Sequence, residues 1–215
     1  MKTQPLLGAT KLTSWRGETC VLDEVSLVVN ESEVVQVLGP NGSGKTTLLR
    51  TLAGLALPDE GEVLWRGKSI ERARIEFQTE LLYLGHKAGI SGALTARENL
   101  ATFLSLRHAT PNLDALDEAL AALGLAERLD LPCRWLSAGQ QRRVALARLL
   151  LEPAALWILD EPLNALDVNG VEWVVERIQN HVAKNGAVVL TTHQPMPFHS
   201  VEPRTLSLKE ASVLS

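Results

Sequence analysis

A glycine-rich segment between two regular elements constrains this chain more than any other feature. Gly39–Thr46 reads Gly-Pro-Asn-Gly-Ser-Gly-Lys-Thr and fits the phosphate-binding pattern G-x-x-x-x-G-K-[ST]. It follows the apolar run Glu33–Leu38 and leads into a helical stretch from Lys45 to about Ala56. A glycine-rich turn that matched by chance would not be expected between a strand and a helix. The sequence therefore predicts a nucleotide site where the loop meets the helix.

The residue types of this loop suit a nucleotide and a divalent cation. Glycines let backbone N–H groups point at phosphate oxygens, and the following helix adds the positive end of its dipole. We expect Lys45 to neutralise the β- and γ-phosphates during catalysis and the Thr46 hydroxyl to ligate Mg²⁺. The predicted nucleotide-binding residues of the loop are Gly39, Pro40, Asn41, Gly42, Ser43, Gly44, Lys45, Thr46 and Thr47.

A second apolar run, Ala155–Leu159, ends in two acids, Asp160 and Glu161. A continuous apolar run is typical of a buried parallel strand, and ligands of such sheets bind at the carboxyl ends of the strands. We expect Asp160 to hold Mg²⁺, through water, and Glu161 to orient and deprotonate an attacking water. Acids commonly end strands, so this pair gains its meaning from the phosphate loop that precedes it.

Apolar periodicity predicts the remaining elements. We expect short strands in the first thirty or so residues, with a turn at Gly17, and further strands at Gly61–Trp65, Leu81–Leu84 and Ala187–Leu190. The pattern becomes helical from Thr95, which has the spacing of a capping box with Glu98. The sequence predicts an α/β core at both ends of the chain, with a helical insertion of roughly sixty residues between them.

Composition narrows the possible partners. Lysine and arginine number 21 and aspartate and glutamate 25, a net charge of −4, and no basic block stands out, so we expect no nucleic-acid partner. Cys20 and Cys133 lie far apart and are interpreted as reduced thiols. The N-terminus lacks the apolar stretch of a signal peptide, and no apolar run reaches the roughly eighteen residues of a membrane span.

Between the phosphate loop and the acids, Leu136–Arg143 reads Leu-Ser-Ala-Gly-Gln-Gln-Arg-Arg. The segment resembles the signature motif of ABC-type ATPases, usually written LSGGQ, with Ala138 at its third position. The alternative is a serine N-cap before a basic helix. In that family the motif contacts the γ-phosphate held by a second subunit, so the resemblance implies that Ser137, Gly139 and Gln140 bind nucleotide across a dimer interface.

Other family positions match as well. Leu163–Asp167 resembles the D-loop, which in that family crosses the dimer and touches the partner's phosphate loop. The resemblance implies that Asp167 is a nucleotide-binding residue. His193 resembles the switch histidine that bonds the γ-phosphate and the catalytic glutamate. Trp15 stands thirty residues before Lys45, near the family's adenine-stacking aromatic, but the adjacent Arg16 could stack instead. Trp135, beside the signature motif, is interpreted as a packing residue.

One position departs from the family pattern. The family's Q-loop presents a glutamine to Mg²⁺ and water twelve residues before a Glu-Asn pair that opens a helix. Glu98-Asn99 is present here, and His86 stands twelve residues before Glu98. We expect His86 to act in catalysis and to contact Mg²⁺. The alternative is a solvated loop residue near the membrane partner. A neutral imidazole can accept from water or ligate a metal, but it cannot copy both ends of an amide.

The whole chain resembles ABC ATPases, with ATP and Mg²⁺ as the implied cofactors. The implied fold is a single domain over residues 1–215, of the α/β phosphate-loop NTPase (RecA-like) class. Its core covers about residues 1–86 and 155–215 and includes an N-terminal antiparallel β segment. The inserted helical subdomain covers about residues 87–152. The resemblance also implies an ATP-sandwich dimer with a second copy, and ATP hydrolysis coupled to transport.

A narrower resemblance rests on the short chain, on Leu-Gly-His in place of the glutamine, and on LSAGQQRRVALARL. These features are similar to the ATP-binding subunits of haem exporters in bacterial cytochrome c biogenesis. The resemblance implies a peripheral protein on the cytoplasmic face of the inner membrane, docked on integral membrane subunits that handle haem. ATP hydrolysis would drive release of a haem-loaded chaperone, and this chain would not contact the cargo.

Three other functions share some of these motifs. A small-molecule kinase shares the phosphate loop but has no use for a signature motif or a D-loop. A non-transport ABC ATPase usually carries coiled-coil arms or two cassettes, and the roughly ninety residues between Thr46 and Leu136 leave no room for arms. An ABC exporter of another substrate, such as a lipid or a drug, differs only in its membrane partner and stays open.

Overall fold

The structure, a computed structural model, describes residues 4–107, 110 and 112–213. The strands are β1 (Leu7–Arg16), β2 (Thr19–Val29), β3 (Val34–Leu38), β4 (Glu60–Trp65), β5 (Lys68–Ser69), β6 (Leu81–Leu84), β7 (Leu156–Asp160), β8 (Ala187–Thr191), β9 (Arg204–Ser207) and β10 (Ser212–Val213). The helices are α1 (Lys45–Leu52), α2 (Arg74–Glu80), α3 (Ala96–Leu106), α4 (Leu113–Ala121), α5 (Ala138–Leu146), α6 (Arg148–Leu151) and α7 (Val168–Val182). In this described part of the chain, no helix is both long and apolar enough to cross a membrane.

One sheet is antiparallel, in the strand order β10-β2-β1-β4-β5. Strands β1 and β2 form a long hairpin that turns at Gly17, where φ is +60°. They contain 10 and 11 residues, so the predicted N-terminal antiparallel segment is confirmed while the expected short strands are wrong. The register of the pair shifts between Ala9 and Leu12 and again on both sides of Ser14. These shifts interrupt the alternation of apolar and polar residues and hide the true strand length.

The second sheet is parallel, in the strand order β6-β7-β8-β3-β9. Every residue of β7 and β8 is buried, which explains why their sequences are almost continuously apolar. Because parallel strands end at the same edge, the segments that follow β3, β7 and β8 lie side by side. This edge holds the candidate site.

Successive residues of the parallel strands pack into two different hydrophobic clusters. Ile158 and Val189 belong to the cluster that includes α1, whereas Leu159 and Leu190 belong to the cluster that includes α7. The sheet is therefore covered on both faces, as the α/β class requires. Burial on both faces fixes the position of β7 in the sheet, and therefore also the position of Asp160 and Glu161 at its carboxyl end.

The helical stretch between the two parts of the core has its own cluster, which includes Leu100, Leu120 and Val144. The capping box at the start of α3 is confirmed, since the Thr95 side chain accepts from Glu98 N and the Glu98 side chain accepts from Thr95 N. Residues 108, 109 and 111, inside the predicted helical subdomain, lie outside the described residues, as do residues 1–3 and 214–215.

Three element predictions need correction. Helix α1 ends at Leu52 and not near Ala56, because Gly54 takes a φ of +68° that a helix does not allow. Helix α2 was not predicted, since Phe77 is its one buried residue and no apolar stripe marks it. Strand β9 was missed because none of its four side chains is buried, at the edge of the parallel sheet.

Candidate active site

The phosphate loop connects β3 to α1 and depends on glycine where it approaches other backbone. Gly44, the N-cap of α1, has a φ of +87°, and Gly42 has a φ of +83°. A Cβ on Gly44 would come within 2.3 Å of the Val21 carbonyl oxygen. A side chain there would be excluded by the backbone of β2 as well as by the left-handed conformation. No side chain caps the start of α1, so its backbone N–H groups are available to bind an anion.

Lys45 folds back over this loop. Its Nζ donates to the carbonyl oxygens of Gly39 and Pro40, at 2.7 and 2.8 Å. A lysine ammonium has three donors and no acceptor, so these bonds leave donor capacity for a phosphate oxygen. The Lys45 ammonium is thus held close to the backbone of the phosphate loop.

Asp160 lies at the end of β7 and receives two hydroxyl groups. Thr46 Oγ1 donates to Asp160 Oδ2 and Thr191 Oγ1 donates to Asp160 Oδ1, both at 2.8 Å. Asp160 is 2% exposed, and Thr191 stands beside it in the register of β7 and β8. Carboxylate and hydroxyl oxygens are hard ligands that suit Mg²⁺, which usually takes one or two protein ligands and completes its shell with water and phosphate. The donor set of Thr46 and Asp160 fits that ion.

Glu161 follows directly and adopts an uncommon conformation. Its φ is +51°, and its backbone N–H donates to Thr191 Oγ1 at 2.9 Å. The residue is 7% exposed, yet in the described structure neither carboxylate oxygen has a hydrogen-bond partner. His193 Nε2 lies 3.3 Å from Glu161 Oε1, within charge-pair distance if the imidazole is protonated. A buried carboxylate without a partner is costly, so this group is poised to accept from water.

These groups share one cavity of about 510 Å³. Its lining includes Asn41, Gly42 and Gly44–Thr47 from the loop, together with both acids and both predicted histidines. His86 therefore lines the same cavity as Lys45 and Glu161. The arrangement brings the Lys45 cation, a hydroxyl–carboxylate pair that suits Mg²⁺ and the Glu161 carboxylate around one cavity. These are the groups that phosphoryl transfer to water needs.

The adenine prediction left two candidates, and the structure treats them differently. Arg16 lines the cavity, and its guanidinium donates to Thr47 Oγ1 at 3.0 Å. Trp15 is 38% exposed, and its backbone N–H donates to Asp59 Oδ2 at 2.7 Å. Among the described residues that line the cavity, Trp15 is not present.

The signature residues form a helix start of their own. The Ser137 side chain accepts from Gln140 N, and Gln140 Oε1 accepts from Ser137 N, at 3.2 and 2.9 Å. A Cβ on Gly139 would lie 2.5 Å from the Ala165 carbonyl oxygen, so α5 packs directly on the loop 163–167. Within the described cavity lining, none of the three signature residues is present. They therefore lie apart from the nucleotide loop of their own chain.

Asp167 ends that loop as the N-cap of α7. Its side chain accepts from Gly170 N at 2.9 Å and from Arg143 at 2.6 Å. The backbone hydrogen bond from Gly170, followed by the Arg143 guanidinium, lowers the pKa of the Asp167 carboxyl. Asp167 is thus a charged cap beside the signature helix, outside the described lining of the cavity.

Two residues at the site were not predicted, and one prediction was wrong. Thr191 supports both acids, and a threonine at the carboxyl end of the apolar run Ala187–Leu190 was a usable signal for it. Arg142 bonds the backbone around Glu161, but nothing in the Arg-Arg pair distinguishes the fully buried arginine from its half-buried neighbour. Trp135, expected to be a packing residue, is 70% exposed, with the Arg134 guanidinium 5.8 Å from its ring centroid.

Comparison with known proteins fits this geometry. Residues 22–164 match the model of a family described as ABC transporter. The chain belongs to the ABC transporter family. The predicted recognition of an ATP-binding subunit of this family is confirmed, and so is the predicted fold class.

Two curated relatives of this ABC protein are informative. It is 51% identical over 97% of its length to a bifunctional cytochrome c-type biogenesis protein CcmAE of Salmonella choleraesuis, and it spans 61% of that relative's length. It is 48% identical over 98% of its length to the cytochrome c biogenesis ATP-binding export protein CcmA of Yersinia pestis bv. Antiqua, and it spans 97% of that protein. The narrower resemblance drawn from the motifs is confirmed by these similarities.

A solved structure agrees with the fold. A dimeric ATP-binding cassette in a post-hydrolysis state, bound to ADP and Pi, matches with a TM-score of 0.81 at 24% identity. The match covers 97% of this chain and 99% of the other. The likeness places the two sheets and the helical stretch of the ABC protein in the same architecture.

Proposed function

We propose that this chain hydrolyses ATP with Mg²⁺ as the ATP-binding subunit of a membrane transporter. The observation that carries the proposal is the buried carboxylate of Glu161, which accepts no hydrogen bond within the described structure and lies in the cavity shared with Lys45, Thr46 and His193. A kinase passes the phosphoryl group to a second substrate. A kinase also uses a carboxylate base, but it has no use for the signature motif or the D-loop, so hydrolysis is the better fit.

Each residue has one task in this proposal. The backbone N–H groups of the loop and Lys45 bind the β- and γ-phosphates. Arg16 or Trp15 stacks on the adenine ring. Thr46 and Asp160 hold the metal, and Mg²⁺ when bound would neutralise the charge that develops on the transferred phosphoryl group. Glu161 orients the attacking water and takes its proton. His193 bonds the γ-phosphate and stays close to Glu161.

His86 is proposed to act at the position of the family's glutamine. It lines the cavity and carries two ring nitrogens, of which the neutral form offers one acceptor. In that form it can orient the attacking water or contact Mg²⁺, one at a time. We therefore propose that His86 assists catalysis through one contact, either to the attacking water or to Mg²⁺.

We also propose that two copies act together. Ser137, Gly139 and Gln140 begin a capped helix outside the cavity of their own chain, which supports a role toward the nucleotide of a second copy. Asp167 would lie at the same interface. In this arrangement each nucleotide would be bound by the phosphate loop of one copy and the signature helix of the other.

The relatives and the motif resemblance support a finer proposal. We infer a peripheral protein on the cytoplasmic face of a bacterial inner membrane, docked on integral membrane subunits that handle haem in cytochrome c biogenesis. The chain would act as one ABC ATPase domain, with a core at about residues 1–86 and 155–215 and a helical subdomain at about 87–152. It would supply motion to its membrane partners without touching the cargo.

Hydrolysis is tested with the purified chain. We expect Mg²⁺-dependent release of phosphate from ATP that rises more than linearly with chain concentration, and loss of that activity in Lys45→Ala. Strict proportionality to concentration would contradict the paired arrangement, and phosphate release unaffected by Lys45→Ala would contradict the site.

The cytochrome assignment needs a cellular test. The host is a bacterium that lacks its own cytochrome c biogenesis ATP-binding export protein. When this chain is expressed there with its matching membrane subunits, we expect haem-stained c-type cytochromes to be restored. Glu161→Gln is the inactive control. If the chain hydrolyses ATP in vitro and is expressed in this host but restores no c-type cytochromes, an exporter of another substrate is favoured.

A further inference from the structure

Arg142 is a buried cation that bonds to backbone alone. It lies on α5, five residues after Ser137, and is 4% exposed. Its guanidinium donates to the carbonyl oxygens of Gly85 at 2.9 Å, Asp160 at 3.0 Å, Glu161 at 2.8 Å and Pro162 at 3.2 Å. Burial lowers its pKa, and these four bonds offset the loss of water around the charge.

Three of the four acceptors are consecutive. Asp160, Glu161 and Pro162 cover the turn in which Glu161 takes its φ of +51°. A residue other than glycine at positive φ is uncommon and persists where surrounding structure over-determines it. Arg142 holds the carbonyls of this turn, while Thr191 holds the Glu161 N–H from β8. Together they fix the backbone from which the Glu161 side chain extends.

The fourth acceptor belongs to a different segment. Gly85 directly precedes His86, which lines the cavity. One side chain therefore joins the helix that starts at Ser137, the turn that carries Glu161 and the segment that carries His86. Arg143, the next residue, bonds Leu123 and Asp167 instead, so the two arginines serve different neighbours.

We propose that Arg142 is a positioning residue, which holds Glu161 and His86 in register with the signature helix of the same chain. The inference rests on the proposed ATP hydrolysis. Its consequence is that a shift of α5, the helix proposed to meet the nucleotide of a second copy, moves the backbone of the catalytic carboxylate in its own cavity. The two nucleotide sites of a pair would be linked through this guanidinium.

The test compares two substitutions at Arg142 with a matched control. Arg142→Lys keeps the charge but not the planar fork, and Arg142→Gln keeps two donors while removing the buried charge. Arg148→Lys is the control. That arginine is also mostly buried, on the adjoining α6, but it pairs with Glu152 and stacks on Phe103. Turnover, KM for ATP, equilibrium binding of a fluorescent ATP analogue and Tm are measured for each.

We expect both Arg142 variants to bind nucleotide within about threefold of wild type while kcat falls about 10- to 100-fold, because a misplacement of about 1 Å has effects of that size. Arg148→Lys should shift Tm without a selective loss of kcat. In a Glu161→Gln background, Arg142→Gln should lower the residual rate by less than about threefold, since residues that act as one unit are not additive.

Several results would overturn the inference. Wild-type kcat in a folded Arg142 variant would do so, and so would a fully multiplicative effect in the Glu161→Gln background. Loss of the folded state in both variants would assign Arg142 a structural role instead. A wild-type chain without ATPase activity would refute the proposed function itself, so the two failures are distinguishable.

Discussion

The ABC protein contains two helix starts suited to bind a phosphate, and they differ in what surrounds them. The phosphate-loop side begins α1 at Gly44 and faces Asp160 and Glu161 across one cavity. The signature side begins α5 at Ser137, is capped by its own side chains and lies apart from that cavity. The backbones differ as well, since Gly44 is left-handed with no side-chain cap and Ser137 is extended and capped. In the proposed function the first helix start works beside the catalytic groups of its own chain, and the second adds binding contacts to the nucleotide of a second copy.

The largest expected effect is on the phosphate-loop side. Glu161→Gln keeps the shape of the side chain and removes the base, and loss of a general base typically lowers the rate about 10²- to 10⁴-fold. We expect ATP binding to be retained and phosphate release to be nearly abolished, with a longer-lived ATP-bound dimer on a sizing column. Glu172→Gln, an exposed position on α7, is the control. Near-normal steady-state hydrolysis in Glu161→Gln would exclude it as the base.

A second, smaller effect is expected on the signature side. Ser137→Arg places a bulky cation at the start of α5, outside the cavity of its own chain. We expect turnover to fall about 100-fold, a loss comparable to removal of one transition-state contact, while a single chain binds nucleotide as before. Ser105→Arg, at an exposed position on α3, controls for added charge on a helix. Weaker nucleotide binding by the isolated Ser137→Arg chain would break the comparison, because the two sides would then form one site.

A third, smaller effect concerns whether His86 belongs to the catalytic site on the phosphate-loop side. We expect His86→Ala to reduce turnover by less than Glu161→Gln does, and to raise the Mg²⁺ concentration needed for half-maximal rate. His86→Gln should retain most activity, because the amide is the group that this family commonly uses there. Rates and Mg²⁺ dependence equal to wild type in both variants would remove His86 from the site. Lys87→Ala, beside it on an exposed position, is the control.

The smallest effect concerns stability away from both sides. His181 on α7 stacks on Trp157, with ring centroids 3.8 Å apart and an interplanar angle of 6°, and burial lowers its pKa to about 4. In the unfolded chain His181 has the ordinary pKa near 6.5, so between pH 4 and 6.5 the unfolded state binds more protons than the folded state. The contribution of neutral, stacked His181 to the free energy of unfolding is therefore fully present above pH 6.5 and is lost as the pH falls toward 4. His181→Phe keeps a stacked ring and should flatten the fall of Tm over that window. A Tm profile parallel to that of wild type would contradict this assignment.

The sequence predicted most of the fold because burial leaves a strong pattern. The continuous apolar runs of β7 and β8 predict buried parallel strands, and they place Asp160 and Glu161 at the correct edge of the sheet. Elements with few buried side chains were missed, as with α2, which buries Phe77, and the edge strand β9. Such elements form because tertiary neighbours stabilise them, and their local sequence carries no periodic signal.

The site was predictable only in part. Lys45 and Thr46 follow from a motif in which every residue type has a chemical reason. Arg142 and Trp135 show the limit, since a basic pair gives no sign of which arginine is buried and an aromatic residue gives no sign that it is exposed. Burial of a charge depends on carbonyl groups that arrive from distant segments, here residues 85 and 160–162.

The separation of the two sides is tested most directly by mixing two inactive chains. Lys45→Ala disables the phosphate loop, and Ser137→Arg disables the signature helix. In a mixed pair one composite site carries both defects and the other is intact, so we expect ATPase activity to return on mixing although each variant alone is inactive. Mixing each variant with itself at the same total concentration is the control. If mixing restores no activity, and wild-type activity is strictly proportional to chain concentration, each chain works alone and the account of two complementary sides is wrong.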